Sequence, residues 1–495
     1  MSSFRSYSRQ VYLHVWNAAA VAGLASLLLA APCASAQFSR STNGDVYPKL
    51  AADGVTSDDV SLAAAAAACD AAGSRLVLPA GQILLTGAAT VTLNHCAMSG
   101  VGAPAGDNSG TYGTTILLTS QSVPPFILET GWQVSGINFY WPNQSTGKTP
   151  YPPLFSDGGK GHGFNHGVIQ NIVIVNAYDG MTTTPGGGSG DVKISNSTMW
   201  AFHHLFSLTN TGDSWAFSNN RFTPGPLLNT CSFSAACEAA VNEANHINAI
   251  FHITAGGTVT IVVTNSETFS WRYGILIDKG AVLGGSIFDV AWDGMGTLID
   301  SSSGGIYAFQ NNFTGSMSEC GIAVFGGDSP TGNTPCFNLG VNSGLFIYDF
   351  RTDGSIGSWL VGVGNNTVEI NNVDIASIGG ANDGGNYYIV HFLTPTNSLI
   401  VRNSQLGGLP NNAHVHGINI GTNTMGSTII QNCIFSFMND SITGVTNNRA
   451  VVSGNTSFST NPSGRSVDLR GTGSMVYVGN FWDVPPTALL PIISN

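Results

Sequence analysis

Charged residues are scarce in this chain, and their scarcity limits the partners it can have. Only 9% of the 495 residues are charged, with 16 Lys and Arg against 28 Asp and Glu, which gives a formal charge of −12 at pH 7. Nucleic acids and anionic membranes attract clustered Lys and Arg, so we expect neither as a partner. The same balance disfavours a highly anionic substrate unless a cation bridges to it.

Apolar runs long enough to span a membrane are also absent. The longest run, NAAAVAGLASLLLAAP, follows the basic residues Arg5 and Arg9 and precedes CASAQ, which offers an Ala-x-Ala cleavage site after Ala36. This pattern predicts a signal peptide over residues 1–36 and a secreted or periplasmic protein without a membrane anchor. Removal of the peptide would make the formal charge −14.

Cysteines are few, and seven of the eight follow Ala36. Three pairs are plausible disulfides in an oxidising compartment, although the spacing leaves other connectivities open: Cys69–Cys96, Cys231–Cys237 and Cys320–Cys336. Cys433 is left over and is predicted to be a buried small side chain. Cys/His spacing typical of a metal site is absent, so we predict no cofactor, with Ca²⁺ an option only for a lyase.

Neutral polar residues are abundant instead, and they recur periodically. The pattern Asn-x-x-apolar follows alternating strands, at several intervals of 23 to 31 residues: 171–174, 196–199, 219–222, 372–375, 403–406, 432–435 and 455–458. Short strands repeating in this way, with turns rich in Gly and Asn, are typical of a parallel β-helix, whose neighbouring coils lie ~4.8 Å apart. We therefore predict an all-β solenoid with a ladder of Asn amides.

The segment ADGVTSDDVSLAAAAAACDAAGSRLVLPAGQILLTG (52–87) predicts a helix from about 58 to 72, capped by Asp58 or Asp59. A strand bounded by Pro79 and Gly81 follows, and the helix would cover the open edge of the first coil. The segment resembles the N-terminal segment of the pectin-lyase-like superfamily, which includes many phage tailspike depolymerases. That family usually has Gly-Asp-Gly-x-x-Asp-Asp, and Ala52 replaces the first Gly. The resemblance implies a right-handed parallel β-helix with an N-terminal capping helix and a carbohydrate-active protein.

We predict four regions in the chain. They are the signal peptide (1–36), an N-terminal cap and entry to the coils (37–110), the coils (111–483) and a C-terminal tail (484–495). Long loops are expected near 139–167 and 223–250. In the first loop, Tyr140, Trp141 and Tyr151 either wall a glycan groove or pack on the coils.

Motifs of the two best-known subfamilies are incomplete. The GHG at 161–163 resembles a polygalacturonase motif, but no Asp-Asp precedes it in the coils and no Arg-x-Lys follows. An Arg-rich coil of the kind a calcium-dependent pectate lyase needs is also missing. The sequence supports neither subfamily.

Acidic residues cluster over residues 267–300. The segments YGILIDKG (273–280) and MGTLIDSS (295–302) share Gly-x-x-Ile-Asp after 22 residues. Aligning the two coils on this spacing stacks Asp278 on Asp300 and Glu267 on Asp289, with Asp293 diagonal to Glu267. Stacked carboxylates shift one another's pKa values and can supply the acid and the base or nucleophile of glycoside hydrolysis. A direct stack suits a retaining enzyme and a diagonal pair an inverting one.

Aromatic and basic residues accompany these acids. Trp271, Tyr273 and Trp292 are candidates to stack on sugar rings. Arg272 is a candidate to hold a substrate carboxylate or to pair with Glu319. The structural alternatives are that the acids shape turns or lie on a solvated rim, and that the tryptophans are core residues.

We therefore predict an exported glycoside hydrolase that degrades an exopolysaccharide or cell-wall glycan. Its catalytic residues would be Glu267, Asp289 and Asp293, with Asp278 and Asp300 in reserve. One alternative is a lyase or epimerase acting on a uronic-acid polymer, which needs a base such as Tyr273 or His246 and a positive charge such as Arg272.

Another alternative is a non-catalytic glycan-binding or structural solenoid. A polysaccharide is the expected partner in each case, and a homo-oligomer is possible. His414 and His416 would lie on one strand face, without partners identifiable as metal ligands.

Overall fold

The computed structural model describes residues 37–491, apart from gaps at 103–107, 145–146, 160–162, 186–188, 309–311, 321–334, 356, 380–384, 395–397, 411–413, 422–425, 447, 459–463, 488 and 490. The predicted signal peptide lies outside the described residues, as do Gly161 and His162 of the GHG motif.

The described residues form three helices and a long series of strands. The helices are α1 (Asp59–Ala72), α2 (Gly225–Thr230) and α3 (Ala235–Ala244). The strands before α2 are β1 (Phe38–Arg40), β2 (Val46–Pro48), β3 (Asp53–Ser57), β4 (Arg75–Val77), β5 (Gly81–Leu85), β6 (Val91–Leu93), β7 (Ala97–Ser99), β8 (Thr114–Leu118), β9 (Phe126–Leu128), β10 (Gln133–Ser135), β11 (Ile137–Tyr140), β12 (Phe155–Ser156), β13 (Asn165–Gln170), β14 (Val173–Thr182), β15 (Gly190–Ser195), β16 (Thr198–Asn210), β17 (Trp215–Ser218) and β18 (Arg221–Phe222). The strands after α3 are β19 (Ala249–Thr264), β20 (Glu267–Ile277), β21 (Val282–Asp300), β22 (Ile306–Tyr307), β23 (Asn312–Cys320), β24 (Phe337–Leu339), β25 (Gly344–Ser355), β26 (Leu360–Gly362), β27 (Thr367–Ile378), β28 (Tyr387–Phe392), β29 (Ser398–Arg402), β30 (Gln405–Gly408), β31 (Val415–Asn419), β32 (Ser427–Gln431), β33 (Ile434–Ser436), β34 (Asp440–Val445), β35 (Arg449–Ser453), β36 (Thr456–Phe458), β37 (Arg465–Arg470) and β38 (Ser474–Val478).

The strands stack as the coils of a parallel β-helix. Apart from the antiparallel β1–β2 pair, the strand pairings in the described part of the chain are parallel, and each joins one coil to the next. Every coil has three faces, and long strands bend around the corners between them. Strand β21 runs through all three: residues 282–288 lie on the first face, 291–293 on the second and 297–300 on the third.

The corner between the first and second faces carries the predicted asparagine column. Six of the predicted residues take a left-handed backbone with φ between 51° and 56°, a conformation that Asn tolerates better than most residues: Asn171, Asn196, Asn219, Asn372, Asn403 and Asn432. Amides bond between coils, as where Asn432 Nδ2 donates to Asn403 Oδ1 at 3.3 Å. The predicted ladder is confirmed, and the backbone conformation of the corner is its physical basis. Asn455 differs, since Gly454 takes the positive φ there.

Apolar side chains fill the interior from end to end. On the third face the inward positions of successive coils pair in one continuous column: Met181, Phe206, Phe251, Ile275, Ile299, Phe337, Leu360, Val390, Ile418, Ile442 and Val467. All of them are buried. This stacked core fixes which residues of the third face point outward.

Helix α1 begins within one residue of its predicted start, and Asp58 occupies its N-cap position, but the Asp58 carboxylate makes no capping hydrogen bond. The Asp58 carboxylate accepts the N–H groups of Ala51 and Ala52 at 2.8 and 3.3 Å. The Asp59 carboxylate accepts those of Thr86 and Gly87, each at 2.9 Å. The two acids therefore tie the helix to the flanking chain.

The three predicted disulfides are confirmed: Cys69–Cys96, Cys231–Cys237 and Cys320–Cys336. Cys433 is free and buried, as predicted. Trp141 and Tyr151 are 1% and 3% exposed, so these two aromatics pack on the coils. Among the described residues, no helix is both long and apolar enough to cross a membrane.

Candidate functional site

The acid-rich coils, residues 267–300, do not stack as the 22-residue spacing predicts. The repeat there is 24 residues, so Glu267 pairs with Ala291 and Leu276 pairs with Asp300. The predicted stacks of Glu267 on Asp289 and of Asp278 on Asp300 are therefore wrong. The repeated Gly-x-x-Ile-Asp is a local resemblance between two coils that are offset by two residues.

Asp289 belongs to the asparagine column instead. Thr264 pairs with Phe288, which places Asp289 opposite Asn265. Asp289 takes a left-handed backbone with φ of 51°, its side chain is exposed, and its N–H donates to Thr314 Oγ1 at 3.0 Å. This acid occupies a corner position that asparagine fills in other coils.

Glu267 and Asp293 remain diagonal neighbours on the second face. Phe269, two residues after Glu267, pairs with Asp293. Glu267 is exposed and forms an ion pair with Arg221 at 3.0 Å. Asp293 is half-buried and accepts a hydrogen bond from Ser318 Oγ at 2.7 Å. The predicted diagonal arrangement is thus present, with both carboxylates already partnered.

The two tryptophans of the acid-rich coils are core residues, which corrects their prediction as sugar-binding groups. Trp271 and Trp292 are each 1% exposed. Trp271 Nε1 donates to the carbonyl of Phe222 at 3.0 Å, and Trp292 stacks on Phe313. Ser270 has a φ of 65°, which interrupts the strand alternation just before Trp271.

Arg272 and Tyr273 are half-buried, and the Arg272 guanidinium lies 5.0 Å from the Tyr273 ring centroid. The side chain of Glu319, the predicted partner of Arg272, lies outside the described part of the chain. Tyr273 reaches the third face, where it pairs with Ala249 and Thr297.

The reserve acids Asp278 and Asp300 belong to the third face but have separate partners. Asp278 Oδ2 bonds His252 Nε2 at 3.0 Å. Asp300 Oδ1 accepts the N–H of Ser302 at 3.0 Å and a side-chain bond from Asn338 at 3.3 Å. The predicted turn-shaping alternative therefore describes Asp300 well, while Asp278 forms an acid–imidazole pair.

A second group of ionisable residues lies further along the third face. Tyr388, His416, Asp440 and Arg465 pair in order on four successive coils. In β28 and β31 two consecutive residues are buried, which interrupts the in–out alternation of the strand. As a result His391, three residues after Tyr388, and Asn419, three residues after His416, also point outward. We call these six residues the tyrosine–histidine site.

The centre of the tyrosine–histidine site is a buried acid–imidazole pair. His416 Nδ1 and Asp440 Oδ2 lie 2.9 Å apart, and their side chains are 12% and 6% exposed. Arg465 Nε donates to Asp440 Oδ1 at 3.2 Å. The ring of Tyr388 stacks on His416 with centroids 4.9 Å apart. The residue after His416 has no room for a side chain, since a Cβ on Gly417 would lie 2.3 Å from the Ser441 carbonyl oxygen.

Burial and hydrogen bonding set the charges of this site. Burial acts to raise the pKa of Asp440, but hydrogen bonds from His416 and Arg465 outweigh it and hold the pKa below 3.8. The ionised carboxylate accepts only, so the proton between the pair is on His416 Nδ1. Burial raises the pKa of Tyr388. The pKa of His391 is lowered, mainly by burial and to a smaller extent by the charge of the nearby His416.

Three of the six residues, His391, Asn419 and Arg465, line a groove of about 350 Å³, whereas Tyr388, His416 and Asp440 are not among its described lining residues. Polar residues that line it include His391, Asn419, Thr443, Arg465, Asp468 and Arg470. Arg470 is 62% exposed at the rim and bonds Asp468 at 2.7 Å. A histidine with one nitrogen held by a carboxylate, next to a protonated tyrosine, can act as a general base and general acid.

Sequence reasoning missed most of this site. Of its members, only His416 was singled out, without its partners. A signal was available: YYIVHF, HVHG, NDSI and RSVDLR place polar side chains in apolar strands on successive coils. Because no fixed spacing relates these segments, the sequence alone does not align them.

A larger groove, about 500 Å³, follows the asparagine corner. Residues lining it include Asp349, Arg351, Asn372 and Asn403. Asn372 Nδ2 donates to Asp349 Oδ1 at 2.6 Å, and Arg351 pairs with Asp353. These groups bond one another along the corner, and Asp374 also lines the groove.

Comparisons with solved structures give distant likenesses. The catalytic unit of a thermostable GH87 alpha-1,3-glucanase from Streptomyces thermodiastaticus strain HF3-3 is 11% identical with a TM-score of 0.45, covering 88% of this chain and 68% of that chain. The A-module of the mannuronan C-5 epimerase AlgE6 from Azotobacter vinelandii is 13% identical with a TM-score of 0.30, covering 88% and 98%. PfbA, a surface adhesin of Streptococcus pneumoniae, is 9% identical with a TM-score of 0.33, covering 87% and 89%.

No protein-family model matches the chain, and no curated protein sequence matches it. The stacked parallel coils that the sequence predicts are confirmed by the strand pairings, and an asparagine corner accompanies them. At the identities and TM-scores above, the solved structures carry no argument about the reaction, which has to be inferred from the side chains.

Proposed function

We propose that this protein is a polysaccharide-modifying enzyme of the lyase or epimerase class. It would act on a polymer that contains uronic acid, at the tyrosine–histidine site. Both reactions begin with removal of the proton at C5, next to the sugar carboxylate. The proposal revises the preference for hydrolysis that the sequence suggested.

In this proposal each residue of the site has a role. His416, oriented by Asp440, takes the C5 proton through Nε2, and the electron pair of the C–H bond moves onto the sugar carboxylate. In a lyase, that pair then forms the C4–C5 double bond as the C4–O bond breaks, and Tyr388 protonates the departing oxygen. In an epimerase, Tyr388 returns a proton to C5 from the opposite face. The Asn419 amide and Arg470 at the groove rim are placed to bind the sugar carboxylate.

One observation carries this proposal: the buried 2.9 Å bond between His416 Nδ1 and the ionised Asp440 beside the Tyr388 ring. A buried charge is costly unless it is paired, and here the pairing leaves the other imidazole nitrogen available as a base. A protonated tyrosine next to an imidazole supplies both proton-transfer partners.

The test is proton exchange in deuterated water. The purified protein is incubated with a panel of uronic-acid polymers and neutral glycans, and loss of the C5 proton signal is followed by NMR beside ultraviolet absorbance. We expect loss of the signal on at least one uronic-acid polymer, with absorbance for a lyase and without it for an epimerase. Release of reducing ends without either signal would contradict the proposal.

Glycoside hydrolysis is the second candidate, favoured by the diagonal pair Glu267 and Asp293. One coil of ~4.8 Å and two residues of ~3.3 Å each place their Cα atoms ~8 Å apart. From Cα atoms at this separation, the two side chains can reach the roughly 6.5–9.5 Å between carboxyl groups that inverting glycosidases use. Reducing ends that disappear in a Glu267→Gln/Asp293→Asn variant would favour this candidate over the first.

The proposal extends to the compartment of the protein, the handedness of its coils and the role of helix α1. We propose that the protein is extracellular or periplasmic, since disulfides persist in oxidising compartments. We also propose that the coils wind in the right-handed sense and that α1 covers the first coil. Helix α1 packs on β2, β4 and β6 through buried Leu62 and Ala66, and Cys69 bonds it to Cys96, which supports the capping role.

A further inference from the structure

A bulge at the start of the third face turns two consecutive histidines towards one side. Ala177 pairs with Ala201, but Asp179 pairs with His204, so strand β16 has one residue more than β14 between these pairs. Successive side chains of a regular strand point to opposite faces. Here the rings of His203 and His204 instead stack with centroids 3.6 Å apart. Bulges re-aim side chains in this way and are over-represented next to functional sites.

The bulge gathers three potential metal ligands. Asp179, His203 and His204 each offer a ligand atom, and these atoms all lie within 4.8 Å of one another. His203 Nδ1 lies 2.9 Å from Asp179 Oδ1. The same oxygen accepts the backbone N–H of His204 at 3.1 Å. A cation at the usual ~2.1 Å from each ligand would hold the three atoms ~3.4 Å apart in tetrahedral geometry. A small contraction of the cluster is therefore enough to bind one.

The surroundings favour a ligand over a purely structural cluster. His204 is 9% exposed, and its ring makes no hydrogen bond to the described residues that would occupy both nitrogens. His252 stacks against it at 4.1 Å, and His252 Nδ1 is buried without a hydrogen-bond partner in the described part of the chain. Buried polar groups are normally satisfied. His203 and His204 beside the Asp179 carboxylate form a donor set that a metal ion can complete, with His252 packed behind it.

The donor set defines the class of ion. Two imidazoles and one carboxylate suit borderline divalent transition metals such as Zn²⁺ and are poor ligands for Ca²⁺, which prefers six to eight oxygen ligands. We propose that Asp179, His203 and His204 bind one Zn²⁺-like divalent cation. Three protein ligands leave a fourth tetrahedral position for water or a sugar oxygen. The proposal departs from the expectation of no cofactor drawn from the sequence, in which nothing shows that His203 and His204 share one side of the strand.

The cation site is separate from the tyrosine–histidine site. Asp179 and His204 are paired on adjacent coils, and the pairings along the third face place His204 six coils from Tyr388. At ~4.8 Å per coil the two are ~29 Å apart. The bound ion therefore has no part in the proposed proton transfer, and its test does not depend on enzymatic activity.

Calorimetric titration of Zn²⁺ into the untagged, chelator-treated full chain tests the proposal. We expect one Zn²⁺ per chain. Asp179→Asn and His203→Asn, both at partly exposed positions, should weaken binding by more than the roughly 10–100-fold that loss of an outer-shell partner costs. Substitution with Co²⁺ should give visible absorption bands of a nitrogen- and oxygen-ligated site, which both variants lose.

The matched control is the exposed pair His166 and Asp191, which lie 3.4 Å apart on the surface. His166→Asn/Asp191→Asn should bind Zn²⁺ as the unmodified chain does. Circular dichroism of each variant confirms that the fold is retained. Absence of Zn²⁺ uptake by the folded, unmodified chain would overturn the proposal, and so would uptake by Asp179→Asn equal to that of the unmodified chain.

Discussion

The acid-rich coils and the tyrosine–histidine site present ionisable groups in opposite ways. Glu267 and its partner Arg221 are 51% and 62% exposed, so water screens their ion pair. His416 and Asp440 are 12% and 6% exposed, and the carboxylate is held ionised by its hydrogen bonds. Perturbed, buried and partnered groups in a groove are typical of functional sites, whereas exposed acids are typical of surfaces. Burial of ionisable groups therefore indicates a functional site better than their proximity in the sequence does.

The largest expected effect is a loss of enzymatic rate on substitution in the tyrosine–histidine site but not beside the acid-rich coils. Tyr388→Phe removes the proposed proton donor and should lower the rate of C5 proton loss by about 10²–10⁴-fold. The fold should be retained, because the ring still stacks on His416. Tyr273→Phe, at a half-buried tyrosine beside the acid-rich coils, is the matched control and should leave the rate unchanged. A similar rate loss in both variants would break the comparison.

Trp292→Ala tests whether the aromatics of the acid-rich coils bind sugar or form the core. Because Trp292 is buried against Phe313, we expect a loss of about 3–5 kcal/mol in the free energy of unfolding. Denaturant unfolding measures this loss. The half-buried Tyr273→Ala should cost clearly less. A Trp292 variant with unchanged stability and weakened glycan binding would restore the sugar-binding role.

The Asp440 pair makes stability depend on pH in the acid range. A carboxyl whose pKa is lowered by folding stabilises the fold at higher pH, and this stability is lost as the pH falls through the lowered pKa. His416 and Arg465 bond Asp440, with Tyr388 and Asp468 nearby. Asp440→Asn should cost about 1.5–3 kcal/mol at neutral pH. Its deficit against the unmodified chain should be constant above about pH 5 and shrink below about pH 4.

Chemical denaturation across this pH range measures the deficit. Asp289→Asn, at an exposed corner position, serves as the control and should differ little from the unmodified chain at any pH. A deficit of the Asp440 variant that stays the same from neutral pH down to pH 3 would show that the carboxylate charge does not stabilise the fold.

Glu267→Gln should have the smallest effect. Ion pairs between exposed side chains contribute about 0.2–1 kcal/mol, so loss of the bond to Arg221 should barely change the unfolding midpoint. The rate on the polymer substrate should also stay the same. A 100-fold rate loss in this variant would instead return the catalytic site to the acid-rich coils.

Local features of the fold were predictable from the sequence, and relations between coils were predictable only in part. Helix α1, the three disulfides and the asparagine corner each depend on short-range chemistry that a sequence displays directly. Ala52 is another local feature: it takes a positive φ of 50° at the position where the Gly-Asp-Gly-x-x-Asp-Asp pattern has its first glycine. The register of the acid-rich coils was wrong by two residues because coil length varies and the positive φ of Ser270 resets the alternation.

The candidate sites were harder to predict for the same reason. Tyr388, His416, Asp440 and Arg465 come from four coils of unequal length, so their proximity follows from the stacked core and not from spacing. His203 and His204 are adjacent in sequence, but an ideal strand would separate them to opposite faces. Only the bulge opposite Asp179 brings them together.

The most direct test of the central claim compares two variants on one polymer substrate. His416→Gln removes the proposed base, and Glu267→Gln/Asp293→Asn removes the diagonal acid pair of the acid-rich coils. The rate of C5 proton loss is measured for both, with circular dichroism as the check on folding. We expect His416→Gln to lose about 10²–10⁴-fold and the double variant to match the unmodified chain. Loss of activity in the double variant, with His416→Gln fully active, would contradict the account.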